Sequence, residues 1–214
     1  MDTKICIRHI LKNIGENPDR EDLQETPDRI ARMHKEIFAG YSEDPQKIIK
    51  KFPANGYEEM ILVKNIEYFS TCEHHMVPFF GVAHIAYLPG AHITGLSKLP
   101  RMVDIFARRL QNQERLTIQI ADTLQKELKP RGVAVQLTGK HLCMSGRGVH
   151  KDNAETVTTA FRGAFKKENS LKTDFFNQIM SSGVVRERES EKVGEQKSKL
   201  SIFLTLYLSI SLTL

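Results

Sequence analysis

Apolar residues recur at helical spacing through the first part of the chain, and residues 3 to 39 read as helical. Thr26-Pro27-Asp28-Arg29 sets a helix start, with Thr26 as N-cap and Pro27 at the first helical position. Ile30, Met33, Ile37 and Phe38 follow on one face, and Gly40 supplies a stop. Residues 41 to 59, with Pro45 and Pro53, read as connector with at most a short helix around Ile48. From Met60 the period changes. Met60 to Phe69 and Phe80 to Leu88 are rich in β-branched and aromatic residues and bounded by turn residues, so each reads as a strand. Ser97 to Leu110 returns to helix, with Leu99, Met102, Val103, Phe106, Ala107 and Leu110 on one face and Pro100 in the tolerant first turn. A second helix carries Leu116, Ile120, Leu124 and Leu128 on one stripe, ended by Pro130-Arg131-Gly132. Val133, Val135 and Leu137 then alternate with Ala134, Gln136 and Thr138 as a strand that runs to residue 142. Thr156 to Phe165 reads as another strand, and Leu171 to Met180 as a short last helix.

Strand pairs separated by a helix pair predict an α+β domain whose antiparallel sheet is covered by helices on one face. Three parts follow: an N-terminal helical part over 1–59, an α+β domain over 60–180, and a tail over 181–214. The tail is densely charged from Gly183 to Lys199, then apolar and uncharged from Leu200 to Leu214. Those last 15 residues fall short of the roughly 20 that span a bilayer as a helix. A poorly ordered extension is expected there, not a membrane segment.

With 214 residues, 40% hydrophobic and 27% charged, the chain has the composition of a globular protein large enough to bury a core. The net charge of +5 is modest. It fits a mixed surface or a basic site for a small polyanion. Nucleic-acid binding is not expected, because no Lys/Arg block is interleaved with aromatics. Three cysteines, Cys6, Cys72 and Cys143, are too few and too odd for a disulfide framework, and Asp2, Lys4 and Arg8 break any apolar leader. A reducing, cytoplasmic setting follows as the expectation, with the thiols free or ligating metal.

The densest chemistry lies in Ser70-Thr71-Cys72-Glu73-His74-His75. Cys72 and His75 have the spacing of two zinc ligands from one turn, although such a pair alone is often accidental. His141-Leu142-Cys143 follows the strand at 133–142, and Cys143 becomes a third ligand if the two strands are neighbours in one sheet. Three protein ligands leave a tetrahedral position open, as in catalytic zinc sites. A zinc that merely holds the fold is the alternative; chelation would then unfold the protein, not silence it. His74 and His141 flank these ligands and are either ordinary histidines or proton-transfer groups. Lys98 and Arg101 share a helical face near a helix N-terminus, where anions are favoured. Arg147 and Arg29 add possible guanidinium forks for phosphate, against the plainer reading of solvated cations. Glu114, in Gln111-Asn112-Gln113-Glu114-Arg115, is either a helix-terminal carboxylate or an acceptor for the Watson–Crick edge of guanine.

Taken together, Ser70 to Pro78 (STCEHHMVP), Gly95 to Arg101 (GLSKLPR), Gln113 to Thr117 (QERLT) and His141 to Lys151 (HLCMSGRGVHK) resemble GTP cyclohydrolase I in content, order and interval. Glu25-Thr-Pro-Asp-Arg-Ile30 resembles that family's helical N-terminal part, and the resemblance covers about residues 3 to 180. It implies a T-fold and zinc-dependent hydrolytic opening of the guanine imidazole ring of GTP, giving formate and 7,8-dihydroneopterin triphosphate. It further implies Cys72, His75 and Cys143 as zinc ligands, with His74 and His141 as acid/base and positioning histidines. Ser97 and Gln113 would hold the ribose and ring intermediates, Glu114 would anchor guanine, and Lys98, Arg101, Arg147 and Arg29 would grip the triphosphate. The family's homodecamer, with pockets at subunit interfaces, is implied by the same resemblance. His150 and Gly146 depart from the family's usual residues beside Arg147.

Overall fold

A computed structural model describes residues 2–181. The chain divides into two units, Met1–Asn169 and Ser170–Leu214. The charged and apolar tail expected over 181–214 lies almost wholly outside the described residues, and of the second unit only residues 170–181, which are helical, are described.

The first unit begins with helices α1 (Thr3–Asn13) and α2 (Thr26–Ile37). α1 starts because the Asp2 carboxylate accepts from the Lys4 N–H. In α2 Thr26 is already helical, and Glu25 occupies the cap position, one residue ahead of the expected start. Gly40 stops nothing by itself. It lies beyond the end of α2, packed so tightly that a Cβ there would meet the Ile105 carbonyl oxygen at 2.1 Å. Three short 3-10 turns fill the rest of this region, one of them Pro45–Ile48, where a short helix was expected.

The sheet comes next: β1 (Lys51–Pro53), β2 (Ile61–Cys72), β3 (Pro78–Leu88), β4 (His92–Thr94), β5 (Leu110–Gln111), β6 (Gly132–His141) and β7 (Thr156–Gly163). Five strands run in the order β5-β2-β3-β6-β7, while β1 and β4 form a separate antiparallel pair. All neighbours in the larger sheet are antiparallel except β2 with β5. Helices α3 (Lys98–Ala107) and α4 (Gln113–Leu128) pack against it, and the core lies between. Ala83, Ile85 and Tyr87 of β3 stand opposite Leu137, Val135 and Val133 of β6. Leu99, Met102 and Val103 of α3 and Leu116, Ile120 and Leu124 of α4 cover them, all without solvent exposure. This is the expected antiparallel α+β architecture with a helix pair on one face. Strands of two or three residues such as β1, β4 and β5 carry too little pattern to announce themselves.

β2 carries a bulge at Asn65, in the left-handed region at φ 50-odd degrees (56°), where the register to β3 slips. Its displaced N–H is not lost: it donates to Nδ1 of the buried His84 at 3.3 Å. α4 starts on Asn112, whose Oδ1 accepts from the Arg115 N–H at 2.8 Å, and ends on Lys129 at φ 52°, ψ 48°.

Two short helices complete the unit, α5 (Leu142–Ser145) and α6 (Ala164–Lys167).

Candidate functional site

β2 and β3 are joined by a tight hairpin end. Cys72 N–H donates to the Val77 carbonyl at 2.9 Å and Met76 N–H to the Cys72 carbonyl at 2.8 Å, with Met76 at φ 54°. This turn holds Cys72 to His75 at one end of the sheet. β6 reaches the same end, because Phe79 pairs with His141. There the chain leaves the strand for α5, so Cys143 sits in a helical turn and not on a strand end. The strands bearing the two ligand motifs are also not direct neighbours, as the sequence argument had required; β3 lies between them. The turn at one end and α5 at the other span that intervening strand.

The ligand atoms of Cys72, His75 and Cys143 all lie within 4.8 Å of one another. Metal–sulfur and metal–nitrogen bonds of about 2.3 and 2.0–2.1 Å would set tetrahedral ligands roughly 3.5–3.8 Å apart. The observed cluster needs only a small contraction to fit a cation. Among the described residues no fourth His, Cys, Asp or Glu completes the group. Burial and the adjacent Cys72 thiol push the Cys143 thiol up, the response of two thiols crowded together, and a cation bound between them reverses that. Two thiols and an imidazole form a donor set suited to zinc. Arg147 is at the same place: its guanidinium donates to His75 Nε2 at 3.2 Å.

The two flanking histidines differ. His74 stands between Cys72 and Glu73, with Nδ1 3.9 Å from the Cys72 sulfur and Nε2 3.8 Å from a Glu73 oxygen. His141 stacks on Phe79, the ring centroids 4.6 Å apart and the planes within 5°. Burial holds the His141 imidazole below the usual histidine range, and the negative charge of Glu114 pulls the other way. The Nε2 of His141 lies 2.9 Å from Gln113 Oε1. Gln113 cannot be turned round, because the two N–H groups of its Nε2 are shared among the Leu137 carbonyl at 3.1 Å, the Thr156 carbonyl at 2.9 Å and Thr158 Oγ1 at 3.1 Å. Oxygen therefore faces the imidazole, and His141 carries its proton on Nε2. Nδ1 is left as the exchangeable position.

Gln113 is 1% exposed, and its amide is fully engaged. Tyr68 also donates to its oxygen, at 3.4 Å. Within this chain the Gln113 amide is held between α4, β6 and β7 and faces His141. Gly139 makes room for it: a Cβ there would lie 2.4 Å from the Tyr68 hydroxyl and 2.7 Å from Gln113 Oε1.

Glu114 follows Gln113 in the first turn of α4, where a carboxylate is favoured by the helix dipole. Ser97, Lys98 and Arg101 begin α3, and Arg29 lies in α2. Arg29 pairs with Glu25 at 2.7 Å, both exposed. Among the described residues no hydrogen bond or ion pair joins Ser97, Lys98, Arg101 or Arg29 to the metal cluster. Of the residues singled out in the sequence, Cys72, His74, His75, Gln113, Glu114, His141, Cys143 and Arg147 come together at this end of the sheet.

Sequence reading passed over Glu73, Asn112 and Arg115. Asn112 Nδ2 donates to Glu73 Oε1 at 2.9 Å, and Arg115 pairs with the other oxygen. The Arg115 guanidinium and the Asn112 amide hold the Glu73 carboxyl below the usual carboxylate range. The signal available was the position of Glu73 inside the ligand motif and of Arg115 inside the QERLT motif.

Three donors able to hold a metal ion, set at the sheet end beside the half-buried His141, are an arrangement found in metal-assisted hydrolases. Comparison with known proteins narrows this. Residues 3–180 match the family described as GTP cyclohydrolase I. The chain is similar to the GTP cyclohydrolase 1 of Brucella canis and to that of Brucella melitensis biotype 1, each 49% identical over 180 residues, covering 83% of this chain and 84% of the relative. A solved archaeosine synthase QueF-like protein in the apo form aligns at 16% identity over 49% of this chain and 94% of its own, with a TM-score of 0.42, too slight a likeness to carry an argument. The chain belongs to the GTP cyclohydrolase I family.

Proposed function

We propose that the chain opens the imidazole ring of GTP by hydrolysis and that zinc is the metal held by Cys72, His75 and Cys143. The observation that carries this is the convergence of two thiols and an imidazole within 4.8 Å, at the same sheet end as His141 and the first turn of α4. Zinc bound there would supply Lewis acidity and a water whose pKa is lowered toward ~7.

The chain's own residues supply orientation and proton transfer. Glu114 accepts the N1–H and the exocyclic N2–H of guanine, placing C8 toward the ligand cluster. Water adds at C8 while His141, its Nε2 engaged by Gln113, exchanges a proton at N7 through Nδ1. A second water releases C8 as formate, with His74 the nearby group able to move that proton. Ser97 holds the ribose, and Lys98, Arg101, Arg147 and Arg29 meet the triphosphate. Gln113 acts through His141. Two waters enter and one leaves when the opened ribose closes on the diamine, so GTP and one net water give formate and 7,8-dihydroneopterin triphosphate.

A homo-oligomer, a decamer by the family resemblance, suits the surface. Phe69 and Phe80 are 51% and 39% exposed yet stack in parallel with centroids 6.2 Å apart, an apolar area that another copy would cover. A second subunit would also bring Ser97, Lys98, Arg101 and Arg29 to the site. Three free thiols fit a cytoplasmic setting, and no described helix is long and apolar enough to cross a membrane.

The test is to supply GTP and ATP in parallel and follow pterin fluorescence after oxidation. Pterin from GTP and none from ATP is expected. No pterin from GTP would overturn the assignment.

A further inference from the structure

Glu73 lies inside the metal-ligand turn but is not itself a member of the ligand cluster. Its backbone N–H donates to the Gln111 carbonyl at 2.9 Å, extending the parallel pairing of Cys72 with Gln111. Its two carboxylate oxygens have different partners, Asn112 Nδ2 at 2.9 Å and the Arg115 guanidinium. Both partners have other bonds, in the first turn of α4 and in β5 just before it. Asn112 caps the helix through the Arg115 N–H. Arg115 also reaches Gln111 Oε1 at 3.0 Å and the Leu110 carbonyl at 3.2 Å. Between Asn112 and Arg115 stand only Gln113, which sets the His141 tautomer, and Glu114.

The Glu73 and Arg115 side chains are 27% and 42% exposed. A pair that open contributes little to stability. What it does is fix geometry: two bonds from one carboxylate to a capping residue and to the third residue of the helix leave α4 no freedom to slide or rotate against the turn. We propose that Glu73 is a positioning residue that locks the turn carrying Cys72 and His75 onto the first turn of α4, setting the separation between the metal centre and Glu114. The inference rests on the function proposed above. Displacement of a reacting atom by an ångström can cost on the order of 100-fold in rate, so the lock acts on turnover more than on binding.

The test is steady-state kinetics on GTP with Glu73→Ala, Arg115→Ala, the double variant and Glu73→Gln, each with zinc content and far-UV circular dichroism. Glu73→Ala should lower kcat by about 10- to 100-fold, with KM for GTP within about three-fold and with wild-type zinc content. Because the two residues act as one unit, the double variant should be no more than about three-fold slower than the slower single variant. Glu73→Gln, which keeps an acceptor for one partner only, should fall between, and it carries the test if the alanine variant fails to fold. Wild-type kcat in both Glu73 variants, multiplied losses in the double variant, or a loss of turnover that tracks loss of zinc would each overturn the positioning role. If the wild-type protein releases no formate from GTP, the functional reading fails instead. Wild-type turnover beside an unimpaired Glu73→Ala overturns only this inference.

Discussion

Replacing Gln113 by methionine keeps the volume of a buried side chain and removes every polar contact it makes. Not all of its partners are stranded. Thr158 Oγ1 retains Thr117 at 2.6 Å, and Tyr68 retains the Thr138 carbonyl at 3.4 Å. The Leu137 carbonyl sits in a strand with neighbours on both sides. The His141 Nε2–H and the Thr156 carbonyl lose the partners described for them. Leaving a buried donor or acceptor unpaired costs about 1–3 kcal/mol each, and both groups are partly buried, so the variant should lose roughly 2–4 kcal/mol. Chemical unfolding followed by far-UV circular dichroism measures this. The chain has no tryptophan for a fluorescence signal, and wild type and variant are compared at one protomer concentration because oligomerisation contributes to apparent stability. Turnover should fall as well, by about 100-fold or more, since the imidazole loses the contact that sets its tautomer. KM for GTP should change far less. A methionine variant with the unfolding midpoint and kcat of wild type would refute the reasoning, because volume alone would then explain why glutamine is there.

Other expectations follow from single features. Glu114→Gln should collapse turnover of GTP, since the amide loses charge and presents a donor where an acceptor is required; kinetics on GTP, ITP and ATP check it, and equal use of ITP and GTP by wild type would place guanine recognition elsewhere. Gly139→Ala should destabilise the protein and slow it together, because the added methyl collides with the Tyr68 hydroxyl and Gln113 Oε1; a thermal melt and a rate at saturating GTP read both. Burial, and next the charge of Lys64, hold His84 below the usual histidine range. The folded state therefore binds fewer protons than the unfolded state, so His84 contributes full stability above about pH 6.5 and loses it as pH falls toward its folded value. Unfolding midpoints at pH 7.5 and 5.5 should differ more for wild type than for His84→Gln.

The long elements were legible because their periods are clean. Leu116, Ile120, Leu124 and Leu128 mark one stripe of α4, and Val133, Val135 and Leu137 alternate along β6, and both lie in the core. The Cys72–His75–Cys143 group was legible only from the two motifs together, since a Cys-x-x-His pair alone is often accidental. What was hidden depends on position in space. That β3 intervenes between the ligand-bearing strands is a matter of strand order, which periodicity does not encode. The clamp from Glu73 to Asn112 and Arg115 joins residues 39 and 42 positions apart in the chain, beyond the reach of any spacing rule. That Leu137, Thr156 and Thr158 come to meet Gln113 is likewise a matter of tertiary packing, which nothing local reveals.

On the proposed function, ring opening depends on a metal held by Cys72, His75 and Cys143. Protein stripped with a chelator and titrated with zinc, with formate counted from GTP labelled at C8, tests it most directly. Labelled formate should rise in proportion to added zinc, level off at about one zinc per chain as expected for one three-ligand site, and stay at background throughout in Cys143→Ser. Formate released by stripped protein at the untreated rate, or restored by zinc in Cys143→Ser as fully as in wild type, would contradict it.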